Sequence, residues 1–557
     1  MVINLRGSAA LLLACTLALL QVSCVKGTPS AQDSEADIPL LPGLGSLHFP
    51  ISTKKPEAQR YFDQGLLLYY GFNLYDARRS FEHALEIDHS AAMAEWGIAL
   101  TLGPTYNGGV SVSVANEQAA FAAVQKAKRL AARSATNIER AYIDALRSRF
   151  TDAPQPDLVA LEKNYVHAMH DLTQKYLDDP DAGTLYAESM MDLRPHQFWK
   201  QDGTPDGNAL EIESVLEAVL KQWPNHIGAN HYYVHLMEGS SHPEKALASA
   251  RLLEVVSPGA GHLVHMAGHI YSVIGDYAAG IRADLAAMKA DEPYLRKINM
   301  NNFPYVLGYA QHNILFLTRV ASMNGEFEVA YQAALDLEAE AQQNLSKGEG
   351  EDGYLVPKIL VLARFGRWDE ILRLPHPSEE LHGVIFFWHY ARGCALAVKG
   401  HAVEAEQERD AMQATYTAIV PSQSFGMLFH DWSAEYEIAA YVLSARVLTA
   451  RGQNRKALQI WQDAVAVQDQ MVFHDLPGWY YPIRESLGAA LLRTGHAAEA
   501  EKVFREDLAK TPHNPRSLFG LAKALEAQHR TGEAETAQAE FKSVWKGTNV
   551  NLRIEDF

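Results

Sequence analysis

Apolar side chains recur every three or four residues along most of this chain, the spacing that puts them on one face of an α-helix. The amphipathic windows run for roughly 12 to 18 residues. They are rich in Ala, Leu and Glu and contain few β-branched runs. Turn signals such as LGPTYNGG and QDGTPDGN separate them. The pattern predicts an all-α protein built from one helix after another.

Some of these helices fall into a repeat with small residues at fixed places. Gly65 is followed by Ala77, Phe81 and Ala84, which fits the tetratricopeptide pattern, a two-helix unit of about 34 residues. Further matches are Leu487-Gly488 with Ala500, Phe504 and Pro512; Gly268, Tyr271, Gly275 and Tyr277; Gly393, Gly400 and Ala405; and Ala445, Gly452, Ala457, Trp461 and Ala464. Stacked units of this kind form a solenoid with a concave inner groove. We therefore predict a TPR-like helical-hairpin solenoid, a superhelix with irregular repeats.

The repeat spacing divides the chain further. We predict helical repeats over 51–225, central His-rich repeats over 226–345 and C-terminal repeats over 346–557. Between Thr105 and Asn225 the spacing is poor and the loops are long. We expect those loops to cover part of the groove.

The N-terminus has the pattern of a secretory signal rather than of the fold. One Arg precedes an apolar run from Ala9 to Leu20, which is shorter than the roughly 20 residues that span a bilayer. Gln21-Val22-Ser23-Cys24 resembles a bacterial lipoprotein box, with Gln21 where Leu is usual. We predict a signal peptide over 1–24, a tether over 25–50 and an exported protein, periplasmic or in the cell envelope, that reaches the membrane only through a lipid on Cys24. Simple cleavage nearby is the alternative.

Composition restricts the partners and the means of stabilisation. The chain has 557 residues, 48% of them hydrophobic and 21% charged, which is typical of an ordinary folded protein of several domains or one long array. Its net charge of −18 argues against nucleic acid as a partner. With Cys15 in the signal and Cys24 lipidated, Cys394 has no cysteine to pair with. Core packing must then hold the protein together.

Histidines are concentrated in two neighbouring segments. NHYYVHLMEG holds His231, His235 and Glu238, and GHLVHMAGHI holds His262, His265 and His269. Residues three or four apart share a helix face, so each set should point one way. In tetratricopeptide repeats the first helix lines the groove through its second, fifth, ninth and twelfth places. The repeat resemblance places both sets at such positions, and places His312 at the second position of the next repeat.

Seven groups facing one groove from three successive helices suit a divalent transition metal. Neutral imidazole and carboxylate favour Zn, Cu, Fe, Ni or Mn, and axes of neighbouring helices lie about 8–10 Å apart. The predicted metal ligands are His231, His235, Glu238, His262, His265, His269 and His312. Glu188 and Asp192 are candidates for additional carboxylates, and Asn230, Tyr232 and Tyr233 are candidates for fixing the tautomers. We interpret His226 and His242, beside Pro224 and Pro243, as structural.

A second group of chemically capable residues lies in HDLPGWYYPIRESLG, residues 474–488. We interpret Trp479, Tyr480 and Tyr481 as a buried aromatic plug, and Arg484 with Glu485 as part of a helix-end ion pair. The functional alternative is that Arg484 binds an anionic ligand across the groove. His474 and Asp475 belong to the same stretch. Cys394, in the Ala-rich helix RGCALAV, is expected to be a small core residue.

These motifs together resemble a family of bacterial exported tetratricopeptide-repeat proteins. The resemblance runs from Glu57 to Glu526 and is carried by GFNLYDARRSFEHAL, GANHYYVHLMEGSSHPEKAL, PGAGHLVHMAGHIYSVIGDY and GWYYPIRESLGAALL. HYYxHxxE and GHLxHMxxHI are its distinctive motifs. The chain departs from the family at Ala267, where Pro is common, and at Ser272-Val273, where Arg-Val is frequent. The resemblance implies a fold and no particular reaction.

Two functions of different classes follow from this sequence. The first is an exported repeat protein with a His/Glu transition-metal centre in its central groove, which could be a metalloenzyme. The second is a metal-free scaffold that binds a peptide or a partner protein at the cell envelope. Under either function, the groove could take a peptide, a protein or a small-molecule ligand. Storage or sensing of more than one ion is a third. The sequence contains no phosphate-cradling glycine loop, nucleophile elbow or HExxH motif, so it assigns no catalytic residue.

Overall fold

The structure is a computed structural model, and it describes residues 38–296, 305–345, 352–422, 432–471, 478–547 and 552–557. Residues from Leu40 to Phe557 form one compact unit. The described residues contain no β-strand, only two isolated β-bridges. The predicted all-α class is therefore confirmed.

The described residues form 24 α-helices that pair in chain order as hairpins, mostly through short turns. The helices are α1 Pro56–Tyr70, α2 Leu74–Ile87, α3 Ala92–Leu102, α4 Val114–Ser134, α5 Asn137–Arg147, α6 Leu158–Lys175, α7 Pro180–Asp192, α8 Ala209–Gln222, α9 Ile227–Met237, α10 Leu247–Val256, α11 Gly261–Val273, α12 Tyr277–Leu295, α13 Gln311–Asn324, α14 Phe327–Asn344, α15 Pro357–Arg364, α16 Trp368–Arg373, α17 His382–Val398, α18 Ala402–Ser422, α19 Ser433–Ala450, α20 Asn454–Gln468, α21 Ile483–Arg493, α22 Ala497–Lys510, α23 Pro515–Ala527 and α24 Thr531–Val544. None of the described helices is both long enough and apolar enough to cross a membrane.

The small residues of the repeat lie where a large ring from the second helix enters between two first helices. A Cβ added to Gly65 or to Gly97 would lie 2.6 Å from the ring of Phe81. Phe81, on α2, therefore packs against both α1 and α3. Phe504 has the same position near the C-terminus, where a Cβ on Gly488 would approach its ring to 2.6 Å. This packing gives the TPR-like solenoid that the spacing predicted.

The packed fold begins before the first helix. The backbone N–H of Leu41 donates to Gln64 Oε1 at 2.7 Å, and that of Gly259 donates to Gly43 O at 2.8 Å. The ring of Phe49 is buried. Residues 40–50, which the sequence placed in the tether, are thus fixed against α1 and the turn before α11. The predicted signal peptide and residues 25–37 of the predicted tether lie outside the described residues.

Both ends of the solenoid contact its middle. From the N-terminal side, Asp76 Oδ2 accepts a hydrogen bond from Tyr294 Oη at 2.8 Å. From the C-terminal side, the carbonyl of Trp479 accepts one from Arg319 at 2.9 Å. The central hairpins are therefore in contact with both flanking parts.

Candidate metal centre

Three successive first helices bring the predicted ligands together. α9 carries His231 and His235, and Glu238 follows at its C-terminal end; α11 and α13 are the first helices of the next two hairpins. Three ligand groups have atoms within 4.8 Å of one another: His231, His235 and His262; His265, His269 and His312; and His235, Glu238 and His269. We call the seven residues the imidazole cluster. The structure thus brings all seven predicted site residues into one place.

The cluster is buried, and this differs from the open groove that the repeat geometry suggested. Six of its members are 5% exposed or less, and His312 is half-buried. The ring of Phe72, from the turn between α1 and α2, lies 4.4 Å from His231 and 5.4 Å from His262, centroid to centroid. Phe72 has a φ of 60°, a left-handed conformation that is costly for a bulky residue.

The long loops of the N-terminal repeats also cover the cluster, as the sequence predicted. The ring of Tyr106 lies 4.7 Å from that of His235. Asn107 Nδ2 donates to Tyr309 Oη at 3.0 Å, and the Tyr309 ring lies 4.8 Å from His262. Tyr309 belongs to a π-helical turn, Val306–Ala310, that leads directly into α13. Such turns often occur at functional sites.

The δ-nitrogens on α9 are held by fixed acceptors. His231 Nδ1 lies 2.5 Å from the carbonyl oxygen of Tyr70 and must donate to it, since a carbonyl only accepts. His235 Nδ1 lies 3.1 Å from Glu238 Oε1. A neutral imidazole that donates through Nδ1 carries its lone pair on Nε2. Both rings are thereby prepared to ligate a metal through Nε2.

The same arrangement recurs on α11. His269 Nδ1 lies 2.5 Å from Glu238 Oε2, and His265 Nδ1 lies 2.7 Å from Asp284 Oδ1. The two ε-nitrogens of His265 and His269 face each other at 2.8 Å. Carboxylates that accept from the outer nitrogen of a metal-bound histidine orient the ring and raise its basicity. Glu238 therefore fits the position of a shared supporting carboxylate as well as that of a ligand.

Asp284, on α12, reaches His265 past Gly268 of α11. A Cβ on Gly268 would lie 2.7 Å from Asp284 Oδ1. The Asp284 carboxyl is fully buried, and this burial raises its pKa well above the ordinary value. A cation bound to His265 would favour the ionised form, because opposite charges attract strongly at low dielectric.

His262 is a buried polar side chain without hydrogen-bond partners for its ring among the described residues. It is 3% exposed, and within the described part of the chain neither of its ring nitrogens has a hydrogen-bond partner. Burial lowers the pKa of His262 well below 6.5, and the neighbouring imidazoles lower it further. A buried imidazole without partners costs free energy unless something else coordinates it. A metal ion would supply the missing interaction.

The predicted extra carboxylates do not join the cluster. Glu188 accepts hydrogen bonds from Tyr69 at 2.5 Å and from Tyr232 at 2.8 Å, and Asp192 pairs with Arg149. Neither belongs to the three ligand groups described above. The prediction that they add ligands is not supported by this geometry.

The candidates for fixing the tautomers, Asn230, Tyr232 and Tyr233, make their hydrogen bonds elsewhere. Tyr232 donates to Glu188, Tyr233 donates to Glu217 at 2.8 Å, and Asn230 donates to backbone carbonyls. The acceptors that hold the imidazoles are instead Tyr70 O, Glu238 and Asp284, as described above.

His226 and His242 have the structural roles expected of them. His226 Nδ1 accepts from the backbone N–H of Ala229 at 3.0 Å and so caps α9, while its Nε2 lies 3.1 Å from Asp181 Oδ1. The His242 side chain is 68% exposed and lies beside Glu244.

The described part of the second predicted group is structural. Trp479 and Tyr481 are buried, and Tyr480 Oη lies 3.0 Å from Tyr390 Oη. Arg484 makes two hydrogen bonds with Asp469, at 2.7 and 2.6 Å. These contacts favour the plug and the ion pair over an anion site. His474 and Asp475 lie outside the described residues.

Two further charged or reactive residues are accounted for by packing. Glu485 pairs with Arg364, rather than with the neighbouring Arg484. Cys394 is buried, and burial raises the pKa of its thiol to about 11, as expected of a core residue without nucleophilic character.

Comparisons with known proteins give no family. No protein-family model matches the chain, and no curated protein matches it significantly. Among solved structures, human IFIT1 bound to m7Gppp-AAAA has 10% identity over 88% of this chain and 90% of that one, with a TM-score of 0.31. Ypp1 has 10% identity over 90% and 89%, with 0.40, and yeast Tom70 has 14% over 89% and 93%, with 0.25. Every one of these TM-scores is below 0.5, so the structures carry no inference about ligand or activity.

Proposed function

We propose that this protein binds a divalent transition metal in the imidazole cluster of α9, α11 and α13. The observation that carries the proposal is the set of Nδ1 hydrogen bonds to Tyr70 O, Glu238 and Asp284. A ring that donates through Nδ1 in such a bond offers Nε2 to a metal, and His231 with His235, and His265 with His269, each belong to a group whose ligand atoms lie within 4.8 Å of one another. Packing alone gives no reason for four buried imidazoles to share this orientation.

The donor set selects the class of ion. Imidazole nitrogens suit Zn, Cu, Fe, Ni or Mn, whereas Ca²⁺ and Mg²⁺ prefer oxygen ligands. Three imidazoles around one ion leave a coordination position for water or a small ligand, which is the ligand count of many catalytic zinc sites. Metal-assisted chemistry on a small molecule is therefore the activity class to assay.

Burial separates this function from the metal-free scaffold. A peptide in the groove would need the imidazoles at the surface, and six of the seven members of the cluster are 5% exposed or less. A scaffold function would have to use another face of the solenoid. The metal proposal needs only an ion and a small ligand to enter.

The cellular location belongs to the same proposal. A signal peptide and a lipid on Cys24 would place the repeats outside the cytoplasm. Cys24→Ser is expected to move the protein from the membrane fraction to the soluble fraction while its metal content is unchanged. Equal fractionation of both forms would contradict lipid attachment.

Elemental analysis of protein purified without a histidine tag tests the metal proposal directly. We expect at least one equivalent of a transition metal per chain, retained after extensive dialysis. His231→Ala/His265→Ala should lose it, and His242→Ala, which removes an exposed imidazole, should keep it. Wild-type protein that stays metal-free after incubation with Zn²⁺, Cu²⁺, Fe²⁺ and Mn²⁺ would overturn the proposal.

A further inference from the structure

We infer that the centre holds two adjacent metal ions, with the Glu238 carboxylate supporting one histidine of each site. The inference rests on the proposed metal binding and adds its stoichiometry and its internal coupling. Site A comprises His231, His235 and His262, and site B comprises His265, His269 and His312.

Site A combines two histidines of α9 with His262 of α11. Ring centroids lie 4.9 Å apart for His231 and His235, 5.0 Å apart for His231 and His262, and 6.1 Å apart for His235 and His262. His262, from α11, is the buried imidazole without a hydrogen-bond partner in the described chain. Three imidazoles close together match the protein ligands of a three-histidine metal site, which leaves the fourth position open.

Site B repeats this arrangement one helix further along. The centroids of His265 and His269 are 4.7 Å apart, those of His265 and His312 are 5.0 Å apart, and those of His269 and His312 are 5.7 Å apart. The ε-nitrogens of His265 and His269 are 2.8 Å apart. Two nitrogens on a tetrahedral ion at the usual bond length are about 3.4 Å apart, so a small ring rotation would admit the ion.

A single ion cannot use both trios. Each trio already contains three imidazoles, and the transition metals of this class commonly take four ligands. The closest rings across the two sites, His235 with His269 and His262 with His265, have centroids 5.4 and 6.1 Å apart. These distances are no longer than the longest one within site A, so two ions held by the two trios would be immediate neighbours.

Glu238 connects them. Its Oε1 lies 3.1 Å from His235 Nδ1 in site A, and its Oε2 lies 2.5 Å from His269 Nδ1 in site B. An ionised carboxylate accepts from both rings at once, whereas the amide of a glutamine accepts from one and presents N–H groups to the other. Glu238→Gln would thus push one histidine into the tautomer that cannot ligate through Nε2.

The two sites should fill in order rather than independently. Two cations in neighbouring buried sites repel each other, and the single negative charge of Glu238 is shared between them. The first ion is expected to bind more tightly than the second.

Titration of untagged, metal-free wild-type protein with Co²⁺, followed by elemental analysis, tests the inference without any variant. We expect two ions per chain and two resolved steps in the visible absorption of Co²⁺. One ion per chain would overturn the two-site inference and leave the metal proposal intact. No bound ion would overturn both.

Variants then assign the steps. His231→Ala/His262→Ala and His265→Ala/His312→Ala should each retain one ion, and Glu238→Gln should weaken at least one step by about 10- to 100-fold. His242→Ala is the matched control, and circular dichroism of the metal-free proteins verifies folding. Loss of both ions from a folded site A variant, or two unchanged steps in Glu238→Gln, would contradict the shared arrangement.

Discussion

Two clusters in this molecule bury several ionisable side chains, and they do so with different chemical groups. The imidazole cluster lies on α9, α11 and α13, and an arginine cluster of Arg149, Glu162, Asp192 and Glu188 lies among α5, α6 and α7. Both are almost completely shielded from solvent. They differ in the groups that form them: one contains a guanidinium, and the other is built mainly from imidazoles.

The arginine cluster contains its own cation. Arg149 donates to Glu162 at 2.7 Å and to Asp192, and its guanidinium lies over the ring of Tyr165, 4.7 Å from the centroid. In the imidazole cluster, the hydrogen bonds described for the rings run to a carbonyl, to carboxylates and to one another. The difference teaches that the first cluster carries its own cation, whereas the second, under the metal proposal, would receive one from solution.

Removal of the internal cation is the largest expected effect. Arg149→Met would leave Glu162 and Asp192 buried without their partner, which typically costs about 3–5 kcal/mol. We expect that loss in the free energy of unfolding measured by urea denaturation. Lys128→Met, which breaks an exposed pair with Asp144, should cost less than about 1 kcal/mol. Equal losses in both variants would show that the buried ion pairs contribute no more to stability than the exposed one.

Removal of the proposed metal ion should have the second largest effect on stability. At a metal concentration a hundredfold above the dissociation constant, bound metal stabilises the fold by about 2.7 kcal/mol. A chelator should therefore lower the melting temperature of wild-type protein and of His242→Ala, but not that of His231→Ala/His265→Ala. If the double variant responds to the chelator like wild type, the stabilising ion is bound somewhere other than the imidazole cluster.

A smaller effect is expected when the support of one imidazole is weakened. Asp284→Asn keeps an acceptor for His265 Nδ1 and removes its charge, which should weaken metal affinity by about 10- to 100-fold, or about 1.4–2.7 kcal/mol. Asp507→Asn is the matched control, because Asp507 is also buried but hydrogen-bonds Asn514 and Ser517 instead. Comparable loss of affinity in both variants would indicate general destabilisation.

The sequence predicted the elements of the comparison that depend on local spacing. The spacing of Gly65 and Phe81 predicted a helical hairpin, and the spacing of His231 and His235 predicted that both lie on one face of a helix. The repeat register then placed α9, α11 and α13 side by side, and the structure brings their ligands together as expected. These features follow from periodicity, which a sequence carries directly.

The parts that were not predicted depend on contacts between distant segments. Asp284 lies on the second helix of its hairpin and looks like any charged helix residue until its distance to His265 is known. Phe72 meets His231 across 159 positions of the chain. Glu188 and Asp192 have the spacing of ligands, but Glu188 accepts hydrogen bonds from two tyrosines and Asp192 accepts one from Arg149.

The pH dependence of stability gives the finest test of the difference between the clusters. Burial raises the pKa of Glu188 to about 7, although Arg149 opposes the shift. The folded state thus holds a proton that the unfolded chain loses near pH 4.5, and stability falls as pH rises between these two values. One such proton gives a slope of at most about 1.4 kcal/mol per pH unit. Glu188→Gln, which can still accept from Tyr69 and Tyr232, should flatten the profile measured by urea denaturation in chelator. An unchanged slope in that variant would assign the proton to another carboxyl.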